Sequence, residues 1–404
     1  MAFPLVALLF LVTARWCLEV AHAGRQVFDV TDFGAVADGQ TDDSKAFLRA
    51  WMKACAAPGR PAVVVPKGEY RLHPVVFRGP CKGYMELRLA GVLRAPDDLA
   101  AFRGSHEWVN FAGIDGLLVT GGGTFDGRGA SSWHLNDCPR KPDCTPLPVS
   151  IKLGRVRNVT ITEVTSLDSK FFHVIIIGSQ DVAIHRVTIR APRDSPNTDG
   201  VHIQGSSNVR ITDTAVATGD DCVSVGPGSA DITVSGVSCG PGHGISVGSL
   251  GRHPGEEDVR GLRVSNCTLA GTANGVRIKT WRGGLRPAAG VSGLVFEDIV
   301  MRKVRNPIII DQEYCPYSSS SCRHESALLP SVVKISDVKF KNIRGVSATQ
   351  VAVKLSCSGA SPCHGLELRD IDLRYVKRGV ATESRCANVA GGVAGGTLVP
   401  PSCI

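Results

Sequence analysis

The chain is poor in the large side chains that fill ordinary cores. Its 404 residues hold 5 Trp, 5 Tyr and 4 Met against 45 Gly. So little aromatic filling with so many turn-formers fits a solenoid stacked from aliphatic residues better than a helical domain. Long apolar runs are missing as well: beyond the first 23 residues no stretch of 18 apolar residues occurs, which removes a transmembrane helix. No C-x-x-C occurs among the 14 cysteines, which therefore read as structural staples. A basic arm or recognition helix is absent too. The formal charge of +8 is dispersed along the chain, so nucleic acid is not the expected partner. An extracellular polyanion is, because a cationic groove raises its encounter rate.

Residues 1–23 carry an apolar run, Pro4 to Val12, and a small-residue exit at Ala21-His22-Ala23, the pattern of a secretory signal. The expected mature protein is 24–404: one domain, secreted to the extracellular space or cell wall, not membrane-bound and acting as a monomer. Cys17 leaves with the signal and 13 cysteines remain, so at least one thiol has no intramolecular partner. Connectivity is open at this stage. Short closures fit Cys138 with Cys144, Cys315 with Cys322, Cys357 with Cys363, Cys222 with Cys239, and Cys386 with Cys403. Asn158-Val159-Thr160 and Asn266-Cys267-Thr268 match the glycan acceptor pattern and require outward-facing asparagines.

Three short apolar strands organise the middle of the chain: Val201-His202-Ile203, Cys222-Val223-Ser224-Val225 and Gly244-Ile245-Ser246-Val247. Val201 to Val223 is 22 residues, and Val223 to Ile245 is again 22. A repeat that short predicts successive coils of a parallel β-helix, all-β and single-domain, with equivalent positions roughly 4.8 Å apart. Gly275 to Lys279 follows after a longer coil, with an insertion expected near Gly251 to Asp258. A second strand series, from Val159-Thr160-Ile161 through Val182, Val209 and Ile232, gives each coil at least two strands. A third short strand is allowed, with Phe172-His173-Val174-Ile175 as an example. An amphipathic helix from Ala46 to Met52, capped by Thr41, Asp42 or Asp43, is expected to cover the open first coil. The glycine run Gly121-Gly122-Gly123 lacks a following Gly-Lys-Ser/Thr and reads as tight turns.

In this register Asp199, Asp221 and His243 fall in one column with Asp220 beside it, while Arg277 and Lys279 turn outward together. Carboxylates that close resist joint ionisation, so one is expected to have a raised pKa, giving an acid beside a base. Glycosidic hydrolysis needs that pair, and three carboxylates suit its inverting form, two of them holding the water. Arginine and lysine beside them are placed to bind a substrate carboxylate, which a neutral sugar would not require. His243 is placed to tune an aspartate or to hydrogen-bond the sugar, and Tyr314 to stack on it. Local turn hydrogen bonding accounts for Asp199 and for one of Asp220 and Asp221, but not for the whole concentration.

Asn197-Thr198-Asp199, Gly219-Asp220-Asp221, Gly242-His243-Gly244 and Arg277-Ile278-Lys279, in this order and spacing, resemble the polygalacturonase family of glycoside hydrolases. The likeness covers nearly the whole mature chain. It implies a right-handed parallel β-helix that hydrolyses α-1,4 bonds of polygalacturonic acid with inversion and without a cofactor or metal. By the same likeness Asp220 is the general acid, and Asp199 with Asp221 activates water. Arg277 and Lys279 bind the substrate carboxylate, His243 supports the acid, Asn197 and Tyr314 surround the sugar, and Cys222 pairs with Cys239. Ser166 to His173, Ser246 to Gly251 and Asn136-Asp137-Cys138 are similar to plant pollen exo-acting members. An exo enzyme closes one end of its groove, for which Ser131 to Pro148 and Gly251 to Asp258 are candidate walls. The alternatives are an endo-acting enzyme with an open groove, a calcium-dependent pectate lyase, and a non-catalytic pectin-binding wall protein.

Overall fold

The computed structural model describes residues 26–141, 143–283, 289–316 and 329–404. The signal-like segment 1–23 and Cys322 lie outside the described residues.

Alternating β-branched residues and left-handed turns drive the chain into a right-handed parallel β-helix. One eleven-stranded sheet runs along a single face of the rod. The other strands form two further stacks that fuse where long strands such as Gly290–Val304 and Lys334–Ser347 pass through both. Inward positions stack in register: Val201 opposes Val223, Val223 opposes Ile245, Ile245 opposes Val276 and Val276 opposes Ile308. All five are fully buried. Burying such aliphatic ladders stabilises each coil by about 1.5–3 kcal/mol per side chain.

One expectation needs correction. Val174–Ile177 is not a third strand of its coil; it belongs to the eleven-stranded sheet, with Val174 paired to Val201. The third stack is made instead of short strands such as Thr165–Leu167, Thr188–Arg190 and Ala215–Ala217. Alternation alone does not tell which stack a short apolar run joins. At the helix Ser44–Cys55, the N-cap Asp43 makes no side-chain cap bond. Its carboxylate instead accepts from the Val36 and Ala37 amides, while Asp42 Oδ1 accepts from Ser44 N at 3.1 Å.

The helix covers the first coil as its pattern predicts. Trp51 packs 4.9 Å from the Phe77 ring, and the Cys55–Cys81 disulfide fastens the helix end. At the other end Val393–Val399 adds to the stack through Ile371 and Leu398, held by Cys386–Cys403. Cys138–Cys144, Cys222–Cys239 and Cys357–Cys363 are also formed. Cys315 is disulfide-bonded as well, and Cys267 is a free, buried thiol whose pKa burial pushes up to about 11. Asn158 and Asn266 both face solvent, each at a left-handed turn residue. No described helix is long and apolar enough to cross a membrane.

Candidate active site

Four neighbouring strands of the eleven-stranded sheet, Val201–Gln204, Asp221–Val225, Gly244–Leu250 and Asn274–Trp281, hold the polar cluster: Asp221, Arg277 and Lys279 on the strands, and Asp199, Asp220 and His243 in the turns that lead into them. They floor a cavity of about 860 Å³ lined by Asn197, Asp199, Asp220, Asp221, His243, Arg277, Lys279 and Tyr314, so every expected catalytic and substrate-binding residue reaches one space.

The register differs from a plain column in one place. Asp221 pairs with Gly244 and Val223 with Ile245, so the first strand carries an extra residue at Cys222. This bulge slides His243 against Asp220 instead of Asp221. The His243 amide donates to Asp220 O at 2.8 Å, and Nδ1 lies 2.8 Å from Asp220 Oδ1. Glycine on both sides makes the fit possible. At Gly242, with φ +137°, a Cβ would lie 2.5 Å from Asp220 O, and at Gly244, with φ +94°, 2.2 Å from Asn274 O.

The three carboxylates occupy three environments. Asp221 is buried and answered by two cations: Arg277 Nη2 donates to Oδ1 and Lys279 Nζ to Oδ2, each at 2.8 Å. Ser246 Oγ adds a bond to Oδ1 at 2.8 Å. Burial alone would raise this pKa, but Lys279 and Arg277 more than offset it and hold Asp221 well below the usual carboxylate range. Asp199 is nearly as buried and has a single described side-chain donor, Ser224 Oγ at 2.7 Å. Burial first, then the Asp220 and Asp221 charges, push its pKa well above the ordinary value. The raised carboxyl expected from the sequence is therefore Asp199, one of the two residues that the resemblance gives to water activation. Asp220 is the more accessible acid, its side chain 17% exposed. Asn197 Nδ2 approaches its Oδ2 at 3.5 Å, and the Asp221 amide donates to Oδ1 at 2.8 Å. The hydrogen bond to Asp220, against partial burial, raises His243 above its ordinary value.

Arg277 and Lys279 do turn toward the groove together, but their first partner is Asp221. Arg277 Nε also donates to Ser246 Oγ at 3.0 Å. Lys279 Nζ sits 5.4 Å from the Tyr314 ring centroid, and Tyr314 meets Trp281 edge-on at 5.5 Å. Asp220, Asp221 and His243 offer ligand atoms within 4.8 Å of one another. A cation seated there would have to displace Lys279 or Arg277 from Asp221, so the donor set favours internal charge pairing over metal binding.

Sequence reasoning passed over His202 and Ser224. Both line the cavity, and the His202 ring stacks 5.0 Å from Phe172. A usable signal was present: His202, Ser224, Ser246 and Arg277 hold the same outward position in successive coils.

Both expected walls reach the cavity. Cys138, Pro139, Cys144 and Pro146 stand at one side and Arg252 at another. The first wall is anchored by Asn136 Nδ2, which donates to Pro196 O and Asn197 Oδ1 at 3.2 Å, and by Trp133 Nε1, which donates to Ser169 O at 2.9 Å. In the second, Glu256 accepts from the Gly251, Arg252 and His253 amides, and the Arg252 guanidinium lies 5.1 Å from the Trp281 ring centroid.

Comparison with known proteins places this geometry among relatives. The family model described as glycosyl hydrolases family 28 matches residues 55–397. The chain is 44% identical over 364 residues to an exopolygalacturonase of Platanus acerifolia, covering 90% of this chain and 94% of the relative. It is 44% identical over 387 residues to a polygalacturonase of Gossypium hirsutum, covering 96% and 93%. Among solved structures, an endo-xylogalacturonan hydrolase of Aspergillus tubingensis superposes with a TM-score of 0.78 at 23% identity, over 92% of this chain and all of the other, a likeness of fold.

Proposed function

The chain belongs to family 28 of the glycosyl hydrolases, and from that premise we propose that it is a secreted exo-acting polygalacturonase that inverts the anomeric centre. The carrying observation is the cavity itself, where three carboxylates in different surroundings and two cations meet beside a disulfide-braced wall.

Asp220, accessible and sharing a hydrogen bond with His243, gives its proton to the glycosidic oxygen as the bond to the anomeric carbon breaks. A water on the opposite face attacks that carbon and passes its proton to the Asp199 and Asp221 pair. Lys279 and Arg277 keep Asp221 ionised for this work. The same two cations extend to the carboxylate of a galacturonosyl unit, arginine through its fork and lysine as a point charge. Asn197 and Tyr314 border the sugar. Exo action is supported by the wall from Cys138 to Pro146 and by the kinship with exopolygalacturonases, such as that of Platanus acerifolia. Glycans on the outward-facing Asn158 and Asn266 fit a secreted protein.

The test is a time-resolved chromatographic profile of products from unesterified polygalacturonate, with chelator present and Asp220→Asn as control. Saturated monomer from the first time point is the expected result. A ladder of saturated oligomers would overturn exo action, and unsaturated products lost on chelation would overturn hydrolysis.

A further inference from the structure

A hydrogen-bond chain runs from the buried Asp199 back to a residue outside the acidic cluster. Ser224 Oγ donates to Asp199 Oδ2 at 2.7 Å, and His202 Nδ1 lies 2.8 Å from the same Oγ. The serine hydroxyl has one proton. With that proton committed to Asp199, Oγ faces the imidazole as an acceptor and Nδ1 carries the hydrogen. His202 is held for this by its register opposite Ser224 and by the Phe172 ring stacked on it at 28°.

We infer that His202 is a positioning residue that acts through Ser224: it fixes the serine hydroxyl to donate to Asp199 and so keeps that carboxylate ionised at lower pH than its burial alone would allow. This functional meaning rests on the reading of Asp199 as part of the water-activating pair. The groups facing the two ends are few. Around Asp199 stand Asp220, Asp221, Lys279 and Ser224; around His202 stand Gln204, Lys279 and Asp221. Asp220 and Asp221 oppose ionisation of Asp199, so the cation Lys279 and the single serine donor carry the opposition to them. Burial lowers His202 to about 4, so above that pH the ring is neutral and its role is that of a directed dipole. A neutral donor at Nδ1 leaves the serine no better use for its own hydrogen than the carboxylate.

The experiment compares Ser224→Ala, His202→Leu, His202→Asn and the double variant Ser224→Ala/His202→Leu. Asparagine places an amide nitrogen where Nδ1 stood. On unesterified polygalacturonate, the acid limb of kcat/KM is expected to move up by about one pH unit in Ser224→Ala and in His202→Leu, a roughly tenfold loss on the acid side. His202→Asn should return it most of the way, and the double variant should move it no further than Ser224→Ala alone. An unmoved limb, or shifts that add in the double variant, would overturn the inference. Infrared difference spectra of the Asp199 carboxyl stretch, each protein against its Asp199→Asn counterpart, follow the same titration without turnover. Absence of hydrolysis by the wild type would thus strike the functional reading alone. A carboxyl titration that ignores Ser224 and His202 would strike this inference alone.

Discussion

Asp221 shows how a charge can be kept in a nearly dry place. Two cations at 2.8 Å and a serine hydroxyl donate three bonds to its oxygens and leave Oδ2 room for a further donor, whereas Asp199, a coil away, has one described hydroxyl. Their pKa values are driven apart, Asp221 down and Asp199 up. The signs set a pH profile. Asp199 has to be ionised to accept a proton, so activity rises with pH through a value above the 3.8 of an ordinary aspartate. His243 has to keep its proton to support the acid, so activity falls again through a value above the 6.5 of an ordinary imidazole. A bell is expected, and His243→Gln should pull its alkaline limb downward, as rate profiles over pH will show. Asp220→Asn should lose about 10²–10⁴ in kcat at every pH, since no group replaces the proton donor.

Within an element, what decides the site is a single bulge and two glycines. The expectation that His243 stands over Asp221 fails because the 22-residue spacing was counted on the buried residues Val223 and Ile245, which stay in register. The extra residue lies just before them, at Cys222, where an interval between core positions does not register it. The coils, the cavity-facing cations and the capping helix were legible, because each follows from alternation or close spacing, while the Cys222–Cys239 pairing, left open by spacing, came from the family resemblance. His202 and Ser224 were not singled out, although the register that stacks Val201, Val223 and Ile245 also stacks His202, Ser224 and Ser246 beside them. The bulge also makes a prediction. At Gly242 an added Cβ would press on Asp220 O at 2.5 Å, against backbone that cannot swing aside. Gly242→Ala should therefore cut kcat by roughly 10–100-fold through displacement of the Asp220–His243 pair. Kinetics and a thermal melt on the same sample check it; a normal kcat with a lowered Tm would show that the glycine serves folding alone.

At the scale of the whole molecule, a β-helix offers a long, open face, and a polymer would cross it freely unless something stood in the way. The eleven-stranded sheet continues on both sides of the acidic cluster, so the sheet itself sets no chain end. Lining the cavity beside the cluster is the excursion whose Cys138–Cys144 disulfide closes a six-residue separation and whose Asn136 is tied to Asn197 beside the candidate acid. A short cross-linked loop resists being pushed aside, because the disulfide removes much of its conformational freedom. If that wall limits the groove to one sugar on its closed side, replacing Cys138 to Pro146 by a short Gly-Ser linker should open the face while leaving Asn136 and the catalytic coils in place. Products from polygalacturonate should then shift from monomer toward a ladder of oligomers, with kcat changed less than about tenfold, because Asp221 sits on a strand, and Asp199 and Asp220 in the turns just before two strands, that the loop does not build. Cys138→Ala/Cys144→Ala keeps the length of the loop but releases its brace, and should give an intermediate profile. Monomer alone from both variants would place the chain-end determinant elsewhere, and the Arg252 side of the cavity would be the next wall to open.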